Sequence, residues 1–115
     1  LLTTPLSDEL LTRRQQLPLK CAPHELEGKH VSLKPLHAGR DSSTLYEFSN
    51  GSPINLAGKQ QSAYDPDELI WRFMGSGPFD TAEQMHTYLL SLSSAENGLA
   101  MCVFDRKSQK QVGVA

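Results

Sequence analysis

Residues 28–36 of the chain read GKHVSLKPL, and apolar and polar side chains alternate along this segment. Alternation with a period of two is typical of a strand that buries one of its faces. Because proline cannot donate a backbone hydrogen bond to a neighbouring strand, Pro35 marks the end of this strand or a sheet edge. We expect a turn at Glu27 and Gly28 just before the strand, and a second turn over residues 37–41 after it.

Helical patterns follow this strand. Leu45 and Phe48 predict one helix, which ends near Asn50, and residues 50–64 are rich in Gly, Ser, Asn and Gln, as in a loop. Asp65 and Pro66 suit the start of a second helix. Its predicted apolar face has four residues, with Trp71 off the stripe, and Gly75, Gly77 and Pro78 end it: the four are Leu69, Ile70, Phe73 and Met74.

The next helix has the clearest signal in the chain. Asp80 fits an N-cap, and Glu83 three residues later completes a capping box. Apolar side chains then recur at helical spacing, at Ala82, Met85, Leu89 and Leu92.

The segment after this helix reads as two strands. Residues 99–104 are all apolar, as in a strand buried on both faces, residues 105–110 form a polar turn, and residues 111–115 return as a strand. The order is a strand, two or three helices and an antiparallel hairpin. This order predicts an α+β fold with a mixed, mainly antiparallel sheet.

Composition limits the classes of partner. With 115 residues the chain has room for one domain, and its net charge of −2 gives no overall electrostatic reason to bind nucleic acid or an anionic membrane. No apolar run approaches the roughly 20 residues that span a bilayer. Cys21 and Cys102 lie far apart, and Cys102 sits in an apolar run, so we expect it to be buried and the chain to work in a reducing compartment, the cytoplasm.

The ends of the chain suggest a piece of a longer protein. It opens on Leu1 instead of Met, and residues 112–115 read as a strand that has just begun. Pro5, Pro18 and Pro23 punctuate residues 1–25, which we interpret as an N-terminal extension. Residues 26–115 are then the N-terminal part of a domain.

These segments resemble, in this order, the first half of a GCN5-related N-acetyltransferase (GNAT) domain, and most of all its subgroup of ribosomal-protein N-terminal acetyltransferases. The resemblance covers about residues 26–115. It depends on the opening strand of residues 28–36, the helix of residues 81–92, Trp71 followed by Gly77, Pro78 and Phe79, and the segments Val103-Phe104-Asp105 and Val112-Gly113. The family often has Thr-Gly where this chain has Ser108 and Gln109. Because Gln is a poorer left-handed residue than Gly, we expect a different turn here.

The resemblance implies an enzyme that transfers an acetyl group directly from acetyl-CoA to an amine acceptor, such as a protein N-terminus or a small amine. The family holds acetyl-CoA on a fourth strand and on the Gly-rich loop after it, where the physics is that of an anion at a helix N-terminus. That segment would follow residue 115, so we expect no acetyl-CoA site within this chain. Gly75-Ser76-Gly77 follows a helix and precedes a proline, which is the wrong setting for a phosphate loop.

The resemblance also implies that aromatic residues form a wall of the acceptor pocket. The candidates are Trp71, Phe73, Phe79 and, more weakly, Tyr64. Packing in the core is the competing interpretation, and it is favoured for Phe73 and Phe79. No catalytic residue is indicated, because Asp65, Asp80 and Glu83 have capping roles.

The histidines and cysteines do not indicate a metal site. Zinc would need a second pair of ligands besides Cys21 and His24, and His24, His30, His37 and His86 are expected to be solvated.

Two alternatives stay open at this point. One is a non-catalytic, acetyltransferase-like module that pairs its open sheet edge with another chain, with a homodimer among the options. The other is an unrelated small α+β domain, which predicts that the hairpin pairs somewhere other than beside the first strand.

Overall fold

A four-stranded antiparallel sheet organises the computed structural model of the chain. The structure describes residues 5–18 and 20–115, so the parts of the predicted extension at residues 1–4 and 19 lie outside the described residues. The elements in chain order are α1 (Asp8–Gln15), β1 (Leu26–Glu27), β2 (Val31–Pro35), α2 (Ala38–Ser49), β3 (Ile54–Leu56), β4 (Lys59–Gln61), a π-helical turn (Asp67–Trp71), α3 (Ala82–Ser93), β5 (Met101–Asp105) and β6 (Lys110–Val114).

In the strand order β1–β2–β5–β6, the strand β2, which is the predicted opening strand, pairs directly with the hairpin of β5 and β6. Val31 lies opposite Asp105, and Pro35 lies opposite Met101 at the end of the strand. This pairing confirms the α+β prediction. It contradicts the alternative of an unrelated small domain, which predicted that the hairpin would pair away from this strand. The strand β5 begins at Met101, two residues later than the apolar run suggested.

Two turns between strands differ from their predictions. Leu26–Glu27 is a short strand that pairs with β2, so the turn lies after it, where the Gly28 N–H donates to the Val31 carbonyl. In the β5–β6 turn, Gln109 adopts a left-handed φ of 59°, so the expectation that Gln would not take this conformation is wrong. The carboxylate of Asp105 offsets the strain there by accepting hydrogen bonds from the N–H and O–H of Ser108.

The helix α2 begins earlier than predicted. Its N-cap is His37, whose Nδ1 accepts a hydrogen bond from the Arg40 N–H at 3.1 Å. Residues 38–41 are therefore the first turn of a helix, and the prediction of a turn over residues 37–41 is wrong. The predicted end is confirmed, since Asn50 caps the helix and Gly51 has a φ of 90°.

The predicted loop of residues 50–64 contains a small hairpin. The strands β3 and β4 pair through a two-residue turn at Ala57 and Gly58, which have φ values of 51° and 83°. Positive φ at both central residues is the geometry that matches the twist of a hairpin. Because β4 is entirely polar and exposed, its sequence has no apolar alternation to signal a strand.

The second predicted helix is a single π-helical turn. Asp65 helps to start it, because its Oδ1 accepts the Asp67 N–H at 3.0 Å. The predicted apolar face is wrong: Leu69 is 65% exposed and Phe73 is 92% exposed, whereas Trp71 is buried. An α-helical stripe needs at least two turns, and this element ends at Trp71 after one.

The helix α3 begins at Ala82, one residue later than predicted. The N-cap is Thr81, whose hydroxyl accepts the Gln84 N–H at 3.2 Å, and the Gln84 side chain accepts the Asp80 N–H in return. The pair of bonds resembles a capping box, but its side chains are those of Thr81 and Gln84 instead of the predicted Asp80 and Glu83, and the return bond comes from the backbone of Asp80, one residue before the N-cap.

The core lies between the two helices α2 and α3 and one face of the sheet. Leu89 and Cys102 are fully buried at its centre, and a fully buried leucine contributes about 1.5–3 kcal/mol. The buried members of the cluster are Leu36, Ala38, Leu45, Trp71, Met85, Leu89 and Cys102. Across the described ranges 5–18 and 20–115, no helix has the length and apolar character to cross a membrane.

Candidate functional site

Trp71 is the anchor of the candidate site. It is 5% exposed, and its indole N–H donates to the Ser49 carbonyl at the end of α2 over 2.9 Å. The chain then turns back over the ring, where a Cβ placed on Gly77 would lie 2.4 Å from Trp71 Cε3. Only glycine allows this approach, so residues 71–77 wrap tightly around the indole.

Three aromatic rings form a cluster behind this wrap. Trp71 meets Phe79 at 5.2 Å between centroids and Tyr88 at 6.0 Å, both edge to face. Phe79 and Tyr88 lie 5.1 Å apart. Such pairs contribute about 0.5–1.5 kcal/mol each beyond their buried area. The cluster therefore fixes the π-helical turn against α3.

A cleft of about 200 Å³ opens beside the cluster, between the π-helical turn, the two helices and the strand β6. Its lining is mainly apolar, with residues 112–114 of β6 as one wall, and it also includes Phe48, Ile70, Trp71, Met74 and Tyr88. A concave, largely apolar site of this kind suits the body of a small ligand or a single side chain.

The structure separates the four predicted aromatic residues. Trp71 lines the cleft. Tyr64 is bonded to the end of α2: its O–H donates to the Phe48 carbonyl, and its N–H donates to the Gly51 carbonyl. These two bonds hold the chain in place after the β3–β4 hairpin. Phe79 packs against the core, as the core interpretation predicted.

Phe73 is the exception. The core interpretation is wrong for it, because its ring projects into solvent with the Arg72 guanidinium 5.5 Å from its centroid. It is not among the residues that line the cleft. Substrate binding stays a prediction for all four residues.

A buried polar cluster at the start of α2 escaped the sequence analysis. Asp41 is fully buried and accepts hydrogen bonds from Arg40 Nε at 2.7 Å, from the His37 N–H at 2.9 Å and from Gln111 Nε2 at 3.1 Å. Adjacent Arg40 and Asp41 at a predicted turn gave no sign of burial. The partner Gln111 lies 70 residues away along the chain.

The protonation states in this cluster indicate a structural role. Burial alone would raise the pKa of Asp41, but hydrogen bonds from Arg40, His37 and Gln111 hold it below the usual range. Burial, with the nearby Asp41 charge, raises the pKa of the Cys102 thiol to about 12. The thiol is therefore protonated at neutral pH and unsuited to act as a nucleophile.

The other titratable groups that the sequence analysis singled out are engaged in contacts or lie outside the cleft. The Asp65 carboxylate accepts the Asp67 N–H just before the π-helical turn, and Glu68 pairs with Arg72 at 3.0 Å on the surface. His24, His30 and His37 are exposed as predicted, whereas His86 on α3 is half-buried, so the prediction of a solvated side chain is wrong for it. Over residues 5–18 and 20–115, no three His, Cys, Asp or Glu side chains gather as metal ligands would.

The described residues do not fit acetyl-CoA. Its pyrophosphate needs several free backbone N–H groups at a strand-to-helix turn. Gly75-Ser76-Gly77 connects a helical turn to a proline, and Gly77 is occupied by its contact with Trp71. We assign no residue of this chain to acetyl-CoA.

Comparison with known proteins places the fold. No family model matches the sequence, and no curated protein matches it. A solved structure from Chromobacterium violaceum ATCC 12472, described as a probable GNAT-family acetyltransferase, is similar with a TM-score of 0.65 and 20% identity, covering 99% of this chain and 48% of its own. A GCN5-related N-acetyltransferase from Brucella melitensis is similar with a TM-score of 0.61 and 22% identity, covering 85% of this chain and 39% of its own.

The chain spans about half the length, or less, of each solved structure that it matches. It therefore has the α+β fold of GNAT-type acetyltransferases over that part of their length.

Proposed function

We propose that this chain is the acceptor-binding part of an acetyl-CoA-dependent N-acetyltransferase, which transfers an acetyl group to an amine. The observation that carries the proposal is the apolar cleft between Trp71 and the strand β6, in a chain with the GNAT fold. The acceptor is a protein N-terminus, as in the ribosomal-protein subgroup, or a small amine, and the compartment is the cytoplasm.

The cleft suits an amine that must lose its proton before it can react. An apolar lining disfavours the charged form of a buried group, so it lowers the pKa of an ammonium that enters. Trp71 and Tyr88 provide large, rigid walls that exclude water. The contribution of this chain is to position the acceptor and to favour its neutral form.

The proposal is tested with the natural gene product that carries this sequence. We expect acetyl-CoA-dependent release of free thiol, together with acetylated product by mass spectrometry, for at least one amine in a panel of peptides and polyamines. A gene product that neither binds acetyl-CoA nor acetylates any of them would overturn the proposal.

A matched pair of variants tests the cleft. Ile70 and Met74 line it and are partly exposed, so the Ile70→Ala and Met74→Ala double variant should fold and raise the acceptor KM by about tenfold. Leu69→Ala removes an exposed side chain of the same segment that does not line the cleft. It should change no kinetic constant, and neither variant should change the KM for acetyl-CoA.

The edge position of β6 favours the second candidate, a non-catalytic pairing module. Among the described residues, β6 pairs on one side only, with β5, and Val114 is 39% exposed. An open edge of this kind can accept another strand. A specific dimer or complex in size-exclusion chromatography without acetyl-CoA, and with no transferase activity, would favour this candidate over the enzyme.

A further inference from the structure

A second groove, of about 290 Å³, lies at the end of the sheet that carries the β5–β6 turn. Three separate segments build it: the β1–β2 turn, the β3–β4 hairpin and the β5–β6 turn. It shares no residue with the cleft beside Trp71. We call it the basic groove, and its lining is Lys29, His30, Leu56, Ala57, Lys59, Asp105, Arg106 and Lys107.

The charge of this groove contrasts with the charge of the whole chain. The chain has a net charge of −2, yet four of its 11 Lys and Arg residues line this one groove. The only carboxylate in the lining is Asp105, and its Oδ2 is engaged by the N–H and O–H of Ser108 within its own turn. The groove therefore presents an excess of positive charge, which can act locally whatever the net charge.

The groove is also held in shape before anything binds. Arg106 donates from Nη1 to the Gly28 carbonyl at 2.6 Å, and its backbone N–H donates to the His30 carbonyl at 3.0 Å. These two bonds tie the β5–β6 turn to the β1–β2 turn. Because these two turns are already fixed, little binding free energy would be lost in ordering them when a ligand binds.

We propose that the basic groove binds an acidic polypeptide segment rich in Asp and Glu. The charges are spread over three turns, which suits an extended chain of carboxylates better than a single compact anion. Leu56 and Ala57 add an apolar part of the lining for the methylene groups of such a chain. This proposal is independent of the proposed enzymatic function.

The lining argues against nucleic acid as the partner. Proteins that bind single strands stack bases on aromatic side chains, and among the described residues no Phe, Tyr or Trp lines this groove, whose one aromatic ring is the imidazole of His30. Lysine binds as a flexible point charge, whereas arginine recognises phosphate with its planar fork. The single arginine here already uses one guanidinium nitrogen on the Gly28 carbonyl.

The test measures fluorescence anisotropy of a labelled hexaglutamate peptide with the 115-residue chain at low ionic strength. We expect saturable binding that weakens steeply as salt is added. The Lys29→Gln and Lys59→Gln double variant should weaken it on the order of fivefold, since each exposed pair contributes little alone. The control is Arg13→Gln with Arg14→Gln, which removes the same charge from α1, outside the groove, and should change binding less than twofold.

Other results would overturn the proposal. The groove is not a binding site if hexaglutamate fails to bind at low salt, or if both double variants weaken binding equally. The partner class is wrong if an RNA oligonucleotide or inorganic phosphate at matched charge displaces the peptide at lower concentration than unlabelled hexaglutamate. Circular dichroism of both variants, expected to match the parent chain, shows that they are folded.

Discussion

Trp71 and Gly77 lie so close that their contact determines how the chain wraps the candidate site. Gly77 has a φ of 84°, and a Cβ there would lie 2.4 Å from Cε3 and 2.5 Å from Cδ2 of the indole. The ring is itself held by its hydrogen bond to Ser49. The ring therefore cannot move away without breaking that bond, and the position requires glycine.

The first prediction is that Gly77→Ala destabilises the fold by about 2–5 kcal/mol. The left-handed conformation costs a side chain about 1–2 kcal/mol, and the clash with Trp71 adds an overpacking cost of about 1–3 kcal/mol. Urea unfolding followed by tryptophan fluorescence measures the change. The control is Gly58→Ala, with a φ of 83° and no atom within 4 Å of its Cβ position. It should lose only about 1–2 kcal/mol, and equal losses would show that the contact with Trp71 contributes nothing.

The second prediction concerns the start of α3. Thr81→Ala should destabilise the fold by about 1 kcal/mol, because the hydroxyl that accepts the Gln84 N–H is lost. Asp80→Ala should cost only a few tenths of a kcal/mol, since it removes a charge near the helix N-terminus but no cap. Chemical denaturation of both variants gives the comparison. A larger loss for Asp80→Ala would mean that the helix is capped at Asp80.

Thr81 and Asp80 show how far the fold could be predicted from the sequence. The existence, order and type of the long elements followed from periodicity and caps, and the pairing of the first strand with the hairpin agrees with the family resemblance. The start of α3 differed by one residue because Asp80 and Thr81 are both good caps. Which of them accepts the hydrogen bond depends on the backbone after Phe79, which local sequence does not determine.

The candidate site was harder to predict because it depends on contacts distant in sequence. Trp71 falls off the apolar stripe of an ideal helix, yet it is buried because Ser49 and Gly77 enclose it. Phe73 fits that stripe but projects into solvent, since the helix ends after one turn. The Asp41 cluster joins the start of α2 to β6 through Gln111, and no local pattern signals such a pair.

The third prediction is that Asp41→Asn costs about 2–4 kcal/mol. The variant keeps the volume but replaces a carboxylate that accepts from Arg40, His37 and Gln111 with an amide that can satisfy only part of them. Removing one partner of a buried pair typically costs about 3–5 kcal/mol. Because the Arg40 side chain is 41% exposed and can recover water, the expected cost lies at or below the lower end of that range.

A matched change at the surface provides the control for this variant. Glu68→Gln makes the same replacement of carboxylate by amide in the exposed pair with Arg72, and it should cost less than about 0.5 kcal/mol. Thermal unfolding of the two variants beside the parent chain gives the difference. Equal effects would contradict a special role for the buried cluster.

The fourth prediction is that the effect of Asp41→Asn depends on pH. The pKa of Asp41 is below its ordinary value of 3.8 in the folded chain, because the hydrogen bonds to the carboxylate outweigh the effect of burial. The unfolded chain therefore binds this proton more readily. The stabilisation is complete above the ordinary pKa and is lost as the pH falls through the lower pKa of the folded state.

Unfolding experiments at several pH values test this dependence. The difference in unfolding free energy between the parent chain and Asp41→Asn should be constant near neutrality and shrink as the pH falls through 3.8 and below. The pKa of Asp105 is lowered as well, by its hydrogen bonds from Ser108. Comparing the two chains cancels that contribution, since both retain Asp105, and a difference that stays constant with pH would contradict the prediction.

The fifth prediction separates the two cysteines by their reactivity. Cys21 is exposed, whereas Cys102 is fully buried beside Asp41, with burial raising its pKa to about 12. The thiolate is the form that reacts with a chromogenic thiol reagent. At pH 8 we therefore expect one reactive cysteine in the folded chain and two after denaturation, counted by the absorbance that the reagent releases. The Cys21→Ser variant should show no fast reaction while folded. The contrary outcome is modification of Cys102 in that variant at a rate faster than global unfolding. It would mean that the core around Asp41 opens locally. The buried cluster would then not be the rigid support that its geometry implies.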